Sequence, residues 1–255
     1  MGRPLSNTIV GKIFETLNFG KLEVIEYRNA KDVTVKFTET GFVTKAEASQ
    51  IRNGQVRDWT LPTVFGVGFH GGRKLVKGSL DEALYKVWFQ MLRRCYDLKV
   101  REYSNRNNTY VDCRVSEDFL HFENFKAWAG TQQSVLRKGF SLDKDILLKG
   151  NKTYSKDTCC FVPLQVNNLL IKSNKIRGKY PIGVSYNESK GKFEAYVSKS
   201  ENREYLGQFN SPEQAFYAYK LSKEAYIKEV ANKWKGQIDV RVYEALMNYQ
   251  VEITD

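Results

Sequence analysis

The stretch from Pro181 to Tyr226 constrains the fold more than any other, because it reads as three short strands followed by a helix. Phe193, Ala195 and Val197 alternate with Glu194, Tyr196 and Ser198, the period-two pattern of a strand that buries one face and presents the other. Ser189 to Lys192 supplies the turn before this strand, and Arg203 to Phe209 forms the next. Then comes Ser211-Pro-Glu-Gln214, in which Ser211 can cap free amides, Pro212 suits the first helical turn and Gln214 can reach back. Ala215, Phe216, Tyr219 and Tyr226 recur at helical spacing, so the helix covers one side of the sheet and leaves the other bare.

Four segments carry a likeness: Ile182-Gly-Val184, Gly191-Lys-Phe-Glu-Ala-Tyr-Val197, Tyr205-Leu-Gly-Gln-Phe209 and Glu213-Gln-Ala-Phe-Tyr-Ala-Tyr219. Together, over about 45 residues, they resemble the ethylene-response-factor (APETALA-type) DNA-binding domain of plants, which is also fused to phage nucleases. The resemblance implies that the bare sheet face enters the major groove of double-stranded DNA. The DNA-facing positions would be Ser185, Asn187, Lys190, Tyr196, Ser198, Arg203 and Tyr205. Where plant members carry arginine and tryptophan, this chain has Ser185, Asn187, Lys190 and Ser198, so no base preference can be read.

Charge agrees with a polyanionic partner. The 255 residues hold 40 lysines and arginines against 29 acids, a net charge of +11, which steers a chain toward phosphate backbones without specifying any chemistry. That length accommodates two or three small domains. No apolar run approaches the ~20 residues of a membrane span. The opening MGRPLSNTIVGK lacks the apolar centre of a signal peptide. A cytoplasmic protein with no membrane partner is expected. Cys95, Cys113, Cys159 and Cys160 lack paired CxxC spacing, which argues against structural zinc and for buried reduced thiols.

Residues 1–60 contain Gly20-KLEVIEYRN and Lys31-DVTVKFTETGFVTKAEASQI, short alternating strands with Leu22, Val24, Val33, Val35 and Phe37 facing inward. Their rhythm resembles small Tudor-like or KOW-like barrels, so a β-barrel is expected there. Residues 61–78 read as a linker, with the glycines of Gly66 to Gly72 lacking the context of a phosphate loop and His70 a loop residue.

Residues 79–171 form the central part. Ser79-Leu-Asp-Glu82 is a capping box opening a helix with a stripe of Leu84, Val87, Trp88, Met91, Leu92 and Cys95. Tyr103 to Tyr110 reads as a polar loop. Ser116 opens a second helix, running to Gly130, with Phe119, Phe122, Phe125 and Trp128 on its apolar face and His121 packed among them. The segment Ser141 to Leu170 then resembles the core of HNH nucleases, a ββα-metal arrangement: an apolar strand ending in an acid, a polar turn, Thr158-CCFVP163, and a helix bearing Asn167. Trp88 to Tyr96 and Val115 to Trp128 are also similar to phage proteins of this kind.

That resemblance implies a single divalent ion, magnesium or manganese, held by Asp143 and Asn167 and serving phosphodiester cleavage. Lys144 stands where the family has its histidine base, and Thr158 where it has a central asparagine. A protonated lysine does not accept a proton at neutral pH, so Lys144 would grip phosphate while Asp145 replaced the base directly or through water. Residues 172–180 form a basic linker, with Lys172, Lys175, Arg177 and Lys179 positioned to track the backbone. Residues 181–255 complete the chain, with Val240, Val242, Ala245 and Leu246 at helical spacing near the end.

The expected architecture is therefore α+β: a small barrel, an HNH-like core and a three-stranded antiparallel sheet packed on a helix. The expected function is a DNA-binding, HNH-type homing endonuclease of phage or mobile-element origin, acting in the host cytoplasm and nicking duplex DNA. Two alternatives stay open: a catalytically degenerate DNA-binding or regulatory protein of the same build, and a protein-interaction module.

Overall fold

The computed structural model describes residues 7–72, 74–107, 110, 112–132, 134–170, 179–200 and 202–255. The chain is mixed α+β with several small sheets, and it divides into two compact units.

The first unit runs to Val76 and includes Leu120–Glu123. Strands β1 (Ile13–Glu15), β2 (Lys21–Asn29), β3 (Asp32–Phe37) and β4 (Val43–Ala46) form an antiparallel meander in chain order, followed by the short helix α1 (Ala48–Arg52). Leu22, Val24, Val33, Val35 and Phe37 all point into its core, as the alternation requires. The barrel expected over residues 1–60 is not formed. β1 and β4 are the two edges of an open sheet, and strands of three and four residues are too short to tilt round and pair with each other. Asp58 is fully buried and accepts from the Thr40 hydroxyl, from Thr60 N at 2.8 Å and from Thr60 Oγ1 at 2.5 Å, which fixes the strand connection to the chain beyond α1.

His121 does not lie inside a helix. Its ring stacks on Phe69 at 4.3 Å and the residue is exposed, while Phe69 N donates to Leu120 O and Phe122 N donates to Phe69 O. These bonds take backbone groups that a continuous helix would use itself.

The second unit comprises Lys77–Phe119 and Asn124–Asp255. Helix α2 (Leu80–Tyr96) starts where Ser79 Oγ accepts Glu82 N at 3.1 Å, and it buries Leu84, Trp88, Met91, Leu92 and Cys95. Helix α3 (Leu98–Asn107) occupies much of the expected polar loop, because the Asp97 carboxylate accepts Lys99 N at 2.9 Å and opens a new helical turn. After β5 (Arg114–Val115), the single helix expected from Ser116 is two, α4 (Glu117–Leu120) and α5 (Phe122–Gly130). Then follow β6 (Phe140–Asp143), β7 (Thr153–Tyr154), β8 (Cys160–Pro163) and α6 (Leu164–Leu169), with β6 antiparallel to β8 and β5 parallel to β7.

The last strands, β9 (Val184–Asn187), β10 (Lys192–Lys199) and β11 (Asn202–Phe209), make an antiparallel sheet with β10 central. Helix α7 (Pro212–Lys233) lies on one face and α8 (Val240–Met247) packs on α7. Ser211 Oγ accepts Gln214 N at 3.2 Å, the cap read from the sequence, and Gln214 Oε1 reaches back past Ser211 to accept Asn210 N at 3.2 Å. One hydrophobic cluster joins Ile146, Val162, Val166 and Leu169 to Val197, Ile227, Val230 and Leu246. The core is thus continuous on both sides of residues 172–180. Among the described residues, no helix is long and apolar enough to cross a membrane.

Candidate nucleic-acid interface and the ββα core

Ala195 and Val197 are buried on the α7 side of the sheet, with Val184 and Leu206 packed against the same core. Strand alternation then sends Glu194, Tyr196 and Ser198 to the opposite side. Register brings partners beside them: Ser185 and Gln208 flank Glu194, Tyr205 faces Tyr196, Arg203 faces Ser198, and Asn187 faces Lys192. A bulge in β11 makes this possible. Between the pairs Ala195–Gly207 and Tyr196–Tyr205 one extra residue, Leu206, is taken up; Gly207 adopts φ +126°, Leu206 turns into the core and Tyr205 turns out.

The face so formed is ordered by its own contacts. The Arg203 guanidinium lies 4.1 Å from the Tyr196 ring centre, and the Tyr196 and Tyr205 rings are 5.2 Å apart. Tyr205 is 49% exposed. Lys190 ends the β9–β10 turn and sits 3.8 Å from the Glu194 carboxylate. All seven residues expected to face DNA therefore lie on the bare side or at its rim.

Glu194, Gln208 and Lys192 belong to this face and were not among the expected seven. Glu194 accepts from Asn187, Gln208 and Tyr196, bonds that hold its carboxyl below the usual carboxylate range, the bond from Gln208 most of all. Glu194 could have been found from the alternation of β10, whereas Gln208 reaches the outward side only through the bulge in β11. Lys172, Lys175 and Arg177 lie outside the described residues; Lys179 is exposed, with its ammonium 5.2 Å from the Tyr180 ring centre.

The second expected site sits on the β6–β8 pair. Asp143 ends β6 opposite Cys160, and Asn167 is a half-buried residue of α6, which packs on both strands. Asp143 Oδ1 accepts Asp145 N at 2.7 Å and Ile146 N at 2.8 Å, closing the turn after β6. Burial pushes the Asp143 carboxyl up, against the pull of those two amides.

Lys144 is turned inward and only 6% exposed. Its ammonium donates to the Asp145 carboxylate and, at 3.0 Å, to Asn151 O, with the Tyr154 ring centre 5.6 Å away. Asn151 completes a clamp: Nδ2 donates to Lys144 O and Thr153 O, both at 2.7 Å, and Oδ1 accepts Thr153 N at 3.1 Å. Thr158 Oγ1 donates to Thr153 O at 2.8 Å, so it too ties the loop together. Lys144 and Thr158 are thus both spent on holding the β6–β8 connection.

A magnesium-like ion needs several hard oxygen donors turned to one point. Here Asp143 has one oxygen engaged by the turn, Asp145 is paired with Lys144, and among the described residues no three His, Cys, Asp or Glu side chains come together. Nor do the thiols offer nucleophiles: all four cysteines are buried and unpaired, and burial pushes Cys95 and Cys159 up to about 12.

Comparisons of the chain with protein-family models, with curated proteins and with solved structures find no match.

Proposed function

We propose that this chain is a double-stranded-DNA-binding protein of phage or mobile-element type, in which the bare face of the β9–β10–β11 sheet enters the major groove. In this reading the HNH-like β6–β8–α6 unit is a non-cleaving scaffold. The observation that carries the reading is the gathering of Ser185, Asn187, Lys190, Tyr196, Ser198, Arg203 and Tyr205 on one side of a sheet whose other side is filled by α7. A sheet of this size fits the major groove, which admits β-strands as well as helices. The net charge of +11 supplies long-range attraction to the backbone. What speaks against hydrolysis is that the residue standing for the base, Lys144, is buried in a loop clamp.

Titration of purified protein with a duplex at several salt concentrations tests the docking; affinity should fall steeply as salt rises. In the same preparations, incubation with supercoiled plasmid and magnesium or manganese should leave the plasmid intact. Metal-dependent nicking that disappears in Asp143→Ala and Asn167→Ala would overturn the scaffold reading and restore the endonuclease.

A further inference from the structure

The middle of the bare sheet face holds a carboxylate that a surface meant only for phosphates would not carry. Glu194 is 9% exposed and lies at the centre of the cross-strand row Ser185, Glu194, Gln208. Its Oε1 accepts Asn187 Nδ2 and Gln208 Nε2, each at 2.9 Å, and its Oε2 accepts the Tyr196 hydroxyl at 2.9 Å. An ionised carboxylate only accepts, so it dictates which end of each amide faces it: nitrogen toward Glu194, carbonyl oxygen away. Asn187 spends that oxygen on the β9–β10 turn that follows it, accepting Ser189 Oγ at 2.7 Å and Lys190 N at 3.2 Å. Gln208 is exposed, and no described residue donates to its Oε1. Tyr196 has given its hydroxyl proton to Glu194, so its oxygen too is left with lone pairs.

The Gln208 carbonyl and the Tyr196 oxygen are therefore left as acceptors directed away from Glu194. Phosphate oxygens also only accept, and they repel the carboxylate behind the row. On the floor of the major groove the donors are the exocyclic amino groups, N4 of cytosine and N6 of adenine. Every base pair has one, on one strand or the other, so an acceptor row reads which strand carries it. Resting on the groove-docking reading above, we propose that Glu194 is a positioning residue that fixes Gln208 and Tyr196 as hydrogen-bond acceptors. The sheet thereby prefers cytosine or adenine, over guanine or thymine, on the strand beneath that row. Arg203 and Lys190 at the rim contribute affinity that is independent of sequence.

The test is selection of bound duplexes from a randomised pool, followed by salt titrations, with the full chain as wild type, Glu194→Ala, Gln208→Leu and the double variant. Wild type should enrich cytosine or adenine at one or two positions of one strand, and inverting such a base pair should weaken binding about tenfold. Each single variant should lose that discrimination while keeping the salt slope of wild type, and the double variant should lose no more than either single one. A merely structural role predicts instead that Glu194→Ala weakens binding to all sequences alike and lowers the melting temperature. That result would overturn the proposal. So would wild-type binding that is salt-dependent but indifferent to pair inversion. Absence of any salt-dependent duplex binding marks failure of the groove-docking reading itself.

Discussion

A methyl group added at Gly183 has nowhere to go. The residue adopts φ +78°, and a Cβ there would stand 2.1 Å from Cδ2 of Tyr219, whose ring is buried under β9 and β10. Gly183 O also accepts Tyr196 N at 2.8 Å, so the backbone cannot retreat without releasing a strand bond. Gly183→Ala is expected to lower the unfolding free energy by about 2–4 kcal/mol, combining a left-handed backbone with overpacking, and urea denaturation followed by circular dichroism measures it. The glycine was visible in the sequence as part of a motif, but its reason was not, because Tyr219 lies 36 positions along the chain. Lys144 makes the same point at the ββα core. Its identity was legible and marked a departure from the HNH pattern; that its ammonium points inward to Asn151 O depends on how residues 143–158 fold back on themselves.

At the scale of elements, the alternation of Phe193 to Ser198 and the Ser211 cap were enough to place β10, α7 and the bare side of β10 opposite that helix. The break at His121 and the helix α3 were not legible, since each is decided by a bond to a residue or cap outside the apolar pattern. The bulge at Leu206 lies between these cases: Gly207 hints at it, and only the pairing with β10 shows that Tyr205 thereby meets Tyr196. Because Arg203 and Tyr205 each contact the Tyr196 ring from the exposed side of the sheet, removing them should act on binding more than on folding. Arg203→Ala combined with Tyr205→Ala is expected to weaken duplex binding about tenfold or more, with a melting temperature close to that of wild type. Fluorescence anisotropy at fixed salt together with a thermal scan checks this, and unchanged affinity would count against the face as the interface.

At the scale of the second unit, the shared core has a consequence for dissection. Val162, Val166 and Leu169 pack in one cluster with Val197, Ile227 and Leu246, so a fragment holding only residues 181–255 lacks part of its own interior. Expressed alone, that fragment is expected to unfold without the cooperative transition of the full chain, seen as a broad melt by circular dichroism. The thiols give the whole molecule an alkaline limit. Cys95 and Cys159 are raised from 9.0 to about 12, so between those values the unfolded chain has released protons that the folded one retains. The contribution of these thiols to stability is therefore fully present below pH 9.0 and is lost as pH rises toward about 12, an expectation checked by denaturant midpoints at stepped alkaline pH. By itself the sequence determined the α+β class, the strand and helix order near the end of the chain, and which side of β10 each of Phe193 to Ser198 takes, because periodicity and capping are local. Only the tertiary structure decided that the first sheet stays open, that Lys144 is consumed by its loop, and that Glu194 orders Gln208 and Tyr196. Those outcomes rest on strand pairing and on polar hydrogen bonds, such as Lys144 to Asn151 O and Gln208 to Glu194, which the period of the apolar residues does not encode.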